Sequence, residues 1–433
     1  MLITILSFLG VIIIVILAHE IGHFTTAKLT GVKVEEFGIF YPPRLFSIKR
    51  GETIYSINAL PLGGFVKMSG EEDPDEPGSL AAKSIPVRLL VLSAGSLMNL
   101  LLPFLLLSIA FMVPHDAITG KVEVLEVAPD SPADLAGIEP GDIILSVNGR
   151  EVHSDGDLQR YSYRYLGSEI PIVVQHADLS TEEVQLTPRW KTPEGEDPIG
   201  VNIVQRVVIV ELLPDSPASV AGIQRGDLIL SIDGHEVYST GDVEYYINLN
   251  PDSDVTIVAQ HANLTTEEFR LTPEQRTDDG KRIIGVGVSL SSGPIGRESL
   301  PFWEAIPRGS SQCIELMVLF KNGIIGMVTG AIPVDLRGPV GIAEMSGDFA
   351  RAGVSPFLEF AAMISVNLGI INLFPLPALD GGRIAFVLIE LVRRGKRISP
   401  RKEWIIHTAG FFLLLAAIMA VTYRDILRIA TGE

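Results

Sequence analysis

The sequence predicts a polytopic α-helical membrane protein with four transmembrane helices, a membrane-associated β-hairpin region and two extracytoplasmic α+β domains. Three observations predict it. Four apolar runs are each long enough to cross a hydrocarbon core of about 30 Å, which takes roughly 20 helical residues. The long stretch between the second and third runs repeats itself, and short alternating segments joined by a glycine-rich turn lie between the first two. Composition agrees, since 47% of the 433 residues are hydrophobic and only 20% are charged, which excludes a disordered chain. A formal charge of -18 excludes nucleic acid as a partner, because binding it needs clustered Lys and Arg. The single cysteine, Cys313, cannot form an intrachain disulfide.

Residues 1–30 form the first span. Its run Leu2–Leu29 lacks a basic start and carries His19, Glu20 and His23 where a secretory signal would be uniformly apolar, so it is expected to be retained. Residues 31–86 form the hairpin region on the cytoplasmic side: Lys33–Ile39 and Thr53–Ile57 alternate or run apolar, Pro61-Leu62-Gly63-Gly64-Phe65 supplies a turn, and the acidic tract Glu71–Glu76 is a solvated loop. Residues 87–113, 357–392 and 403–425 are the other spans. Within the linker 291–356, the apolar run Ser311–Ile332 is interrupted by Glu315, Lys321 and Asn322 and weakened by three glycines, so it is assigned as an interfacial helix that does not cross. Arg393, Arg394, Lys396, Arg397, Arg401 and Lys402 mark the cytoplasmic side by the positive-inside rule. Counting back places the N-terminus and the repeated stretch outside.

The repeat occupies 119–203 and 204–290. Glu126–Val152 matches Glu211–Val237 at well over half its positions, and the offset of 85 persists through Gln175-His176-Ala177 against Gln260-His261-Ala262. β-Branched runs ending in Asn148-Gly149 or Asp233-Gly234 read as strands and tight turns. SPADLAGI and SPASVAGI read as short helices with a Ser N-cap, Pro at the first position and a closing Gly. Each copy resembles a bacterial-type PDZ domain, which implies a groove that takes peptides or extracytoplasmic substrate segments by strand addition.

The chemistry sits in Ala18-His19-Glu20-Ile21-Gly22-His23. His19 and His23 fall one helical turn apart on one face, so both imidazoles can reach one metal ion while Glu20 stands beside it. Ionisable groups in an apolar span are expensive and are kept when they bind, pair or react. Zinc suits two imidazoles and a carboxylate, with a fourth position left for water whose proton a glutamate can accept. The third ligand is sought at Asp380, which follows Pro375 and Pro377 inside the third span; backbone broken at membrane depth must face protein or water. His19 and Asp380 both come late in spans that run inward, so both lie in the cytoplasmic half and can share one ion. Were Ser311–Ile332 to cross as well, Asp380 would end on the far side.

Through HEIGH, PLGGFVKM (Pro61–Met68), the paired repeats, GPVGIA (Gly338–Ala343) and SVNLGIINLFPLPALDGG (Ser365–Gly382), the chain resembles the site-2 protease family, in its RseP-type form of intramembrane zinc metalloprotease with tandem PDZ domains. The resemblance implies one Zn2+ per chain on His19, His23 and Asp380, Glu20 as catalytic acid/base, and Asn372, Asn99, Gly63 and Gly64 as residues that hold substrate or the developing oxyanion. It implies location in the bacterial cytoplasmic (inner) membrane and cleavage of single-span substrates within the lipid bilayer, of the anti-sigma-factor or remnant-signal-peptide type. It also implies a hairpin that dips into the membrane beside the zinc. In the second span Gly95-Ser96-Leu97-Met98-Asn99 carries Ser where the family often has Pro, so the local helix geometry is expected to differ. The alternative function is a non-proteolytic, membrane-anchored PDZ adaptor, which would need neither HEIGH nor LDGG.

Overall fold

An uninterrupted apolar run without proline makes Leu2–Leu29 one helix, α1, and its buried side reads Ser7, Val11, Val15, His19, His23 and Ala27, a strict four-residue stripe. The two histidines therefore continue the packing seam of the helix. The opposite side is apolar too, with Ile3, Leu6, Ile13 and Ile21 exposed, a distribution that suits lipid and not water. The computed structural model describes residues 2–431 apart from 72–74, 119–121, 177, 194, 205–206, 214–215, 239, 250–252, 262–264, 279–280, 287, 292–294 and 333–336. Residues 72–74 of the acidic tract 71–76 and the start of the first repeat at 119 thus fall outside the described residues. The chain divides into two units: Met1–His115, Ser299–Phe320 and Val334–Glu433 form one, and Asp116–Glu298 with Lys321–Pro333 the other.

In the first unit, α1 leads into β1 (Val34–Arg50) and β2 (Thr53–Met68). The expected hairpin is a more elaborate object. Phe37 pairs with both Tyr55 and Val66, and Ile57 with both Ile39 and Phe46, so each long strand doubles back and the two make a curled sheet of four segments. The segment Pro61–Met68 is one edge of that sheet. Next comes α2 (Ile85–Met112), opened by Pro86 within its first turn.

The second unit holds the repeats. Antiparallel strands Val122–Val127, Ile143–Val147, Ile170–Gln175 and Thr181–Leu186 recur at Val207–Leu212, Leu228–Ile232, Val255–Gln260 and Thr266–Leu271, and both sheets share one strand order. Their short helices α3 (Pro132–Leu135) and α5 (Pro217–Ala221) start as expected, with Ser131 Oγ and Ser216 Oγ accepting from the amides three residues on. Longer helices α4 (Asp155–Arg164) and α6 (Thr240–Leu249) complete each copy.

Among the described residues, five helices are long and apolar enough to cross a membrane by length and composition: α1, α2, α7 (Phe302–Thr329), α9 (Val354–Asn372) and residues Arg401–Arg428 within α11 (Pro400–Thr431). The run expected as an interfacial helix over Ser311–Ile332 lies, up to Thr329, in a 28-residue helix that begins at Phe302, because Phe302, Trp303, Ala305 and Ile306 extend the apolar pattern backward through Pro307. It meets α2 at the last turn of that helix: Leu300 N–H donates to Phe111 O at 2.8 Å, and a Cβ on Gly309 would lie 2.6 Å from Ser108 N. The third span, expected over 357–392 with a break at Pro375 and Pro377, is α9, an irregular break and α10 (Asp380–Val392). Pro375 and Pro377 have no N–H to continue the ladder, and Ala378 turns to φ 76°.

Short α8 (Pro339–Ala352) begins in the GPVGIA segment, where the buried Asp425 carboxylate of α11 accepts from Gly341 N–H at 2.8 Å, an acid at the positive end of a helix. α10 is tied down at its other end: Glu390 meets Arg88 of α2 at 2.8 Å and Arg397 at 3.2 Å, while Arg397 also donates to Ala81 O at 2.6 Å.

The repeats share one titratable device. Asp142 accepts from His176 Nδ1 at 2.8 Å and Asp227 from His261 Nδ1 at 2.7 Å, again 85 residues apart. The neighbouring carboxylate holds each imidazole above the ordinary histidine range. A histidine whose folded value is raised stabilises fully below its unfolded value of about 6.5, and the contribution fades as pH rises through the folded value. Thermal unfolding of the full chain should therefore separate the wild type from a His176→Asn, His261→Asn double variant most widely near pH 6, with the gap closing in alkaline buffer; a gap that widens with pH would contradict this assignment.

Candidate active site

α1 brings His19 and His23 to its buried seam, and the helix break delivers Asp380 to the same point. His19 Nε2 lies 3.1 Å and His23 Nε2 3.2 Å from Asp380 Oδ2, and the two Nε2 atoms are 3.2 Å apart. Among the described residues these three form the one group of His, Cys, Asp or Glu able to hold a metal ion. The triangle fits zinc: bonds of about 2.0–2.1 Å at tetrahedral angles put ligand atoms about 3.3–3.4 Å apart. Each imidazole presents Nε2 to the shared point and turns Nδ1 outward. His23 Nδ1 meets Val91 O of α2 at 2.8 Å, and His19 Nδ1 meets the Asn99 side chain of α2 at 3.4 Å.

Close packing permits this. A Cβ on Gly95 would lie 2.3 Å from His23 Nε2 and 2.7 Å from His19 Cε1, and a Cβ on Gly22 would lie 2.4 Å from Ala94 O. Both imidazoles thus rest on bare α2 backbone. The pair of glycines after Asp380 answers the same need. Cβ atoms there would lie 2.1 Å from Phe374 O and 2.4 Å from Leu376 O, so the loop 373–379 folds directly over the start of α10. His407 of α11 steadies that loop, its Nδ1 accepting from Ala378 N–H at 3.1 Å.

Glu20 points to the other side of α1, toward the curled sheet. A Cβ on Gly64 would lie 2.9 Å from Glu20 Cγ, and one on Gly63 would lie 2.6 Å from the Tyr41 ring, so the edge segment 61–68 passes immediately over the carboxylate side chain. Between helix and sheet is an apolar cleft lined by Ile13, Ile16, Leu17, Phe37 and Ile39, with Glu20 in its wall. A metal centre, a carboxylate beside it and an open strand edge above it are the parts that hydrolysis of an extended peptide requires.

Comparison with known proteins agrees with this geometry. Peptidase family M50 matches residues 7–417. The chain belongs to that family. It is similar to the Regulator of sigma-W protease RasP of Bacillus subtilis, with 28% identity covering 98% of this chain and 99% of the relative. It is 30% identical to the Zinc metalloprotease RasP of Geobacillus kaustophilus over 98% and 97%, and 31% identical to the Regulator of sigma-E protease RseP of Escherichia coli over 98% of each. This M50 chain is a zinc metalloprotease.

The residues expected at the site take different places within it. His19, His23 and Asp380 meet; Glu20, Gly63 and Gly64 line the apolar cleft between α1 and the sheet. Asn372 closes α9, half-buried at the mouth of the break. Asn99 is fully buried beneath His19. Sequence reasoning assigns no part to Val91, because a backbone carbonyl has no sequence signature, or to His407, because a lone histidine in an apolar span carries no spacing to read. Gly95→Ala should push the two imidazoles off α2 and lower the metal content of the purified protein at least tenfold, whereas Gly10→Ala, whose new Cβ finds its nearest neighbour at 3.6 Å, should leave it unchanged. Equal metal content in both variants would remove the close-packing argument.

Proposed function

We propose that His19, His23 and Asp380 hold one zinc ion and that Glu20 is the acid/base of an endopeptidase that cuts single-span membrane proteins within the bilayer. The observation that carries this reading is the meeting of three ligand atoms, drawn from opposite ends of the chain, beside a glutamate and under an open strand edge. A zinc ion there supplies a Lewis acid that acidifies water and polarises a carbonyl. Glu20 takes the proton of the attacking water as the new C–O bond forms and delivers it to the amide nitrogen as the C–N bond breaks. The edge segment containing Gly63 and Gly64 binds the substrate as an added strand. That step matters because a helical peptide bond keeps its carbonyl in the backbone ladder and must be extended before attack. Asn372, on the Asp380 side, serves as a donor to the developing oxyanion.

The topology that accompanies this reading puts the N-terminus and the two PDZ-type repeats outside the cytoplasmic membrane and the zinc site in its inner half. Two contacts support a common direction for α1 and α9: the Phe357 ring at the start of α9 packs by Gly10, and Asp380 just beyond its end reaches His19 and His23. The names of the B. subtilis and E. coli relatives point to substrates in sigma-factor control, such as anti-sigma factors, and the repeats would screen out substrates with bulky outer domains.

Reconstituted enzyme should cut single-span peptides in a chelator-sensitive way. Glu20→Gln should abolish turnover while zinc stays bound, and His19→Ala should lose both. Turnover that persists in Glu20→Gln would refute the assignment. Deleting residues 121–290 should let the enzyme cut substrates that still carry a folded outer domain; unchanged selectivity would remove the screening role.

A further inference from the structure

Asn99 is fully buried, and its side chain reaches one group, the Nδ1 of His19, at 3.4 Å. Its amide nitrogen faces that ring atom, while its Oδ1 is buried without a hydrogen-bond partner. This arrangement conflicts with metal binding. An imidazole that gives its Nε2 lone pair to a metal carries its proton on Nδ1, so His19 presents a donor to Asn99 and needs an acceptor there. Turning the amide by half a rotation puts Oδ1 opposite Nδ1–H and removes both faults, and the two orientations of an amide are set by the network around it. The neighbouring imidazole shows the finished pattern, with Nδ1 of His23 directed at the Val91 carbonyl at 2.8 Å.

We propose that Asn99 is a positioning residue for zinc: its amide oxygen accepts from His19 Nδ1–H, fixing the tautomer and ring plane of that ligand, and it does not touch substrate. The inference rests on the reading of His19 and His23 as zinc ligands. α2 then supplies the outer partner of both histidines, Val91 through the main chain and Asn99 through the side chain. Asn99 is itself held in place, since Ser365 Oγ of α9 donates to its backbone carbonyl at 2.8 Å. Ser96, three residues earlier on α2, has a buried hydroxyl that also lacks a partner.

The test uses the full chain in detergent, comparing wild type, Asn99→Asp, which keeps an acceptor, and Asn99→Leu, which keeps the size and removes it. Asn99→Leu should weaken zinc, measured by chelator competition, about 10- to 100-fold, alter the visible spectrum of the Co2+-loaded protein, and lower kcat with KM unchanged. Asn99→Asp should recover affinity and spectrum. Asn99→Ser, too short to reach Nδ1, makes the same comparison where the leucine variant does not fold. A raised KM with unchanged zinc affinity would make Asn99 a substrate contact, and equal loss in the Asp and Leu variants would make it a packing residue; either overturns the proposal. Failure of the parent reading looks different, because wild type and His19→Ala would then bind zinc alike.

Discussion

Three ligand atoms within 3.2 Å of one another are the constraint on which the structure depends. Two of them sit on one helix at a spacing the helix supplies without effort. The third must arrive from some 360 residues away, and its placement dictates the rest of the first unit. Breaking the chain at Pro375 and Pro377 frees the carboxylate to approach end-on, as the first residue of α10. The Glu390 pairs with Arg88 and Arg397 then fix the far end of that helix, so the direction of α10 is set by charges remote from the site.

The same constraint accounts for the glycines. Gly22 and Gly95 bring α1 and α2 together until the imidazole rings lie on backbone, and the pair after Asp380 lets the broken loop close over its own helix. In lipid, helix association cannot rely on expelling water, and small residues that allow backbone approach take over. Here the close approach has a chemical result. It puts the Val91 carbonyl and the Asn99 side-chain amide of α2 within reach of the two Nδ1 atoms, so helix packing and imidazole orientation are one arrangement.

Much of this was legible in the residues. HEIGH declares its geometry through helical spacing, the LDGG segment through prolines inside an apolar run, and the two outer repeats through an 85-residue offset that the strands reproduce one by one. What was not legible involves groups whose chemistry is carried by the backbone or by a partner far along the chain. The doubled-back sheet at 34–68 arises from strand bends that alternating patterns do not encode. The first turns of α7 were not legible because Pro307 and the polar residues around it part Phe302–Ile306 from the apolar run that follows. For Asn99 the resemblance implies a substrate or oxyanion role, and sequence is silent about which neighbour its amide faces.

The edge segment 61–68 ties the fold to the reaction. Its inner side is paired with β1, and among the described residues its outer side has no ladder partner. Unpaired backbone amides and carbonyls cost several kcal/mol each where water is scarce, so an open edge in such surroundings is held in a state that an added strand relieves. A membrane-spanning substrate is in the converse position, since its backbone is satisfied as a helix and loses those bonds when it unwinds. In the proposed function, pairing along this edge would offset the loss at the place where unwinding is needed, beside Glu20, through main-chain atoms that every sequence shares. Selectivity must then come from side chains entering the cleft between Ile13, Ile16 and Phe37, and from which chains can reach the edge at all.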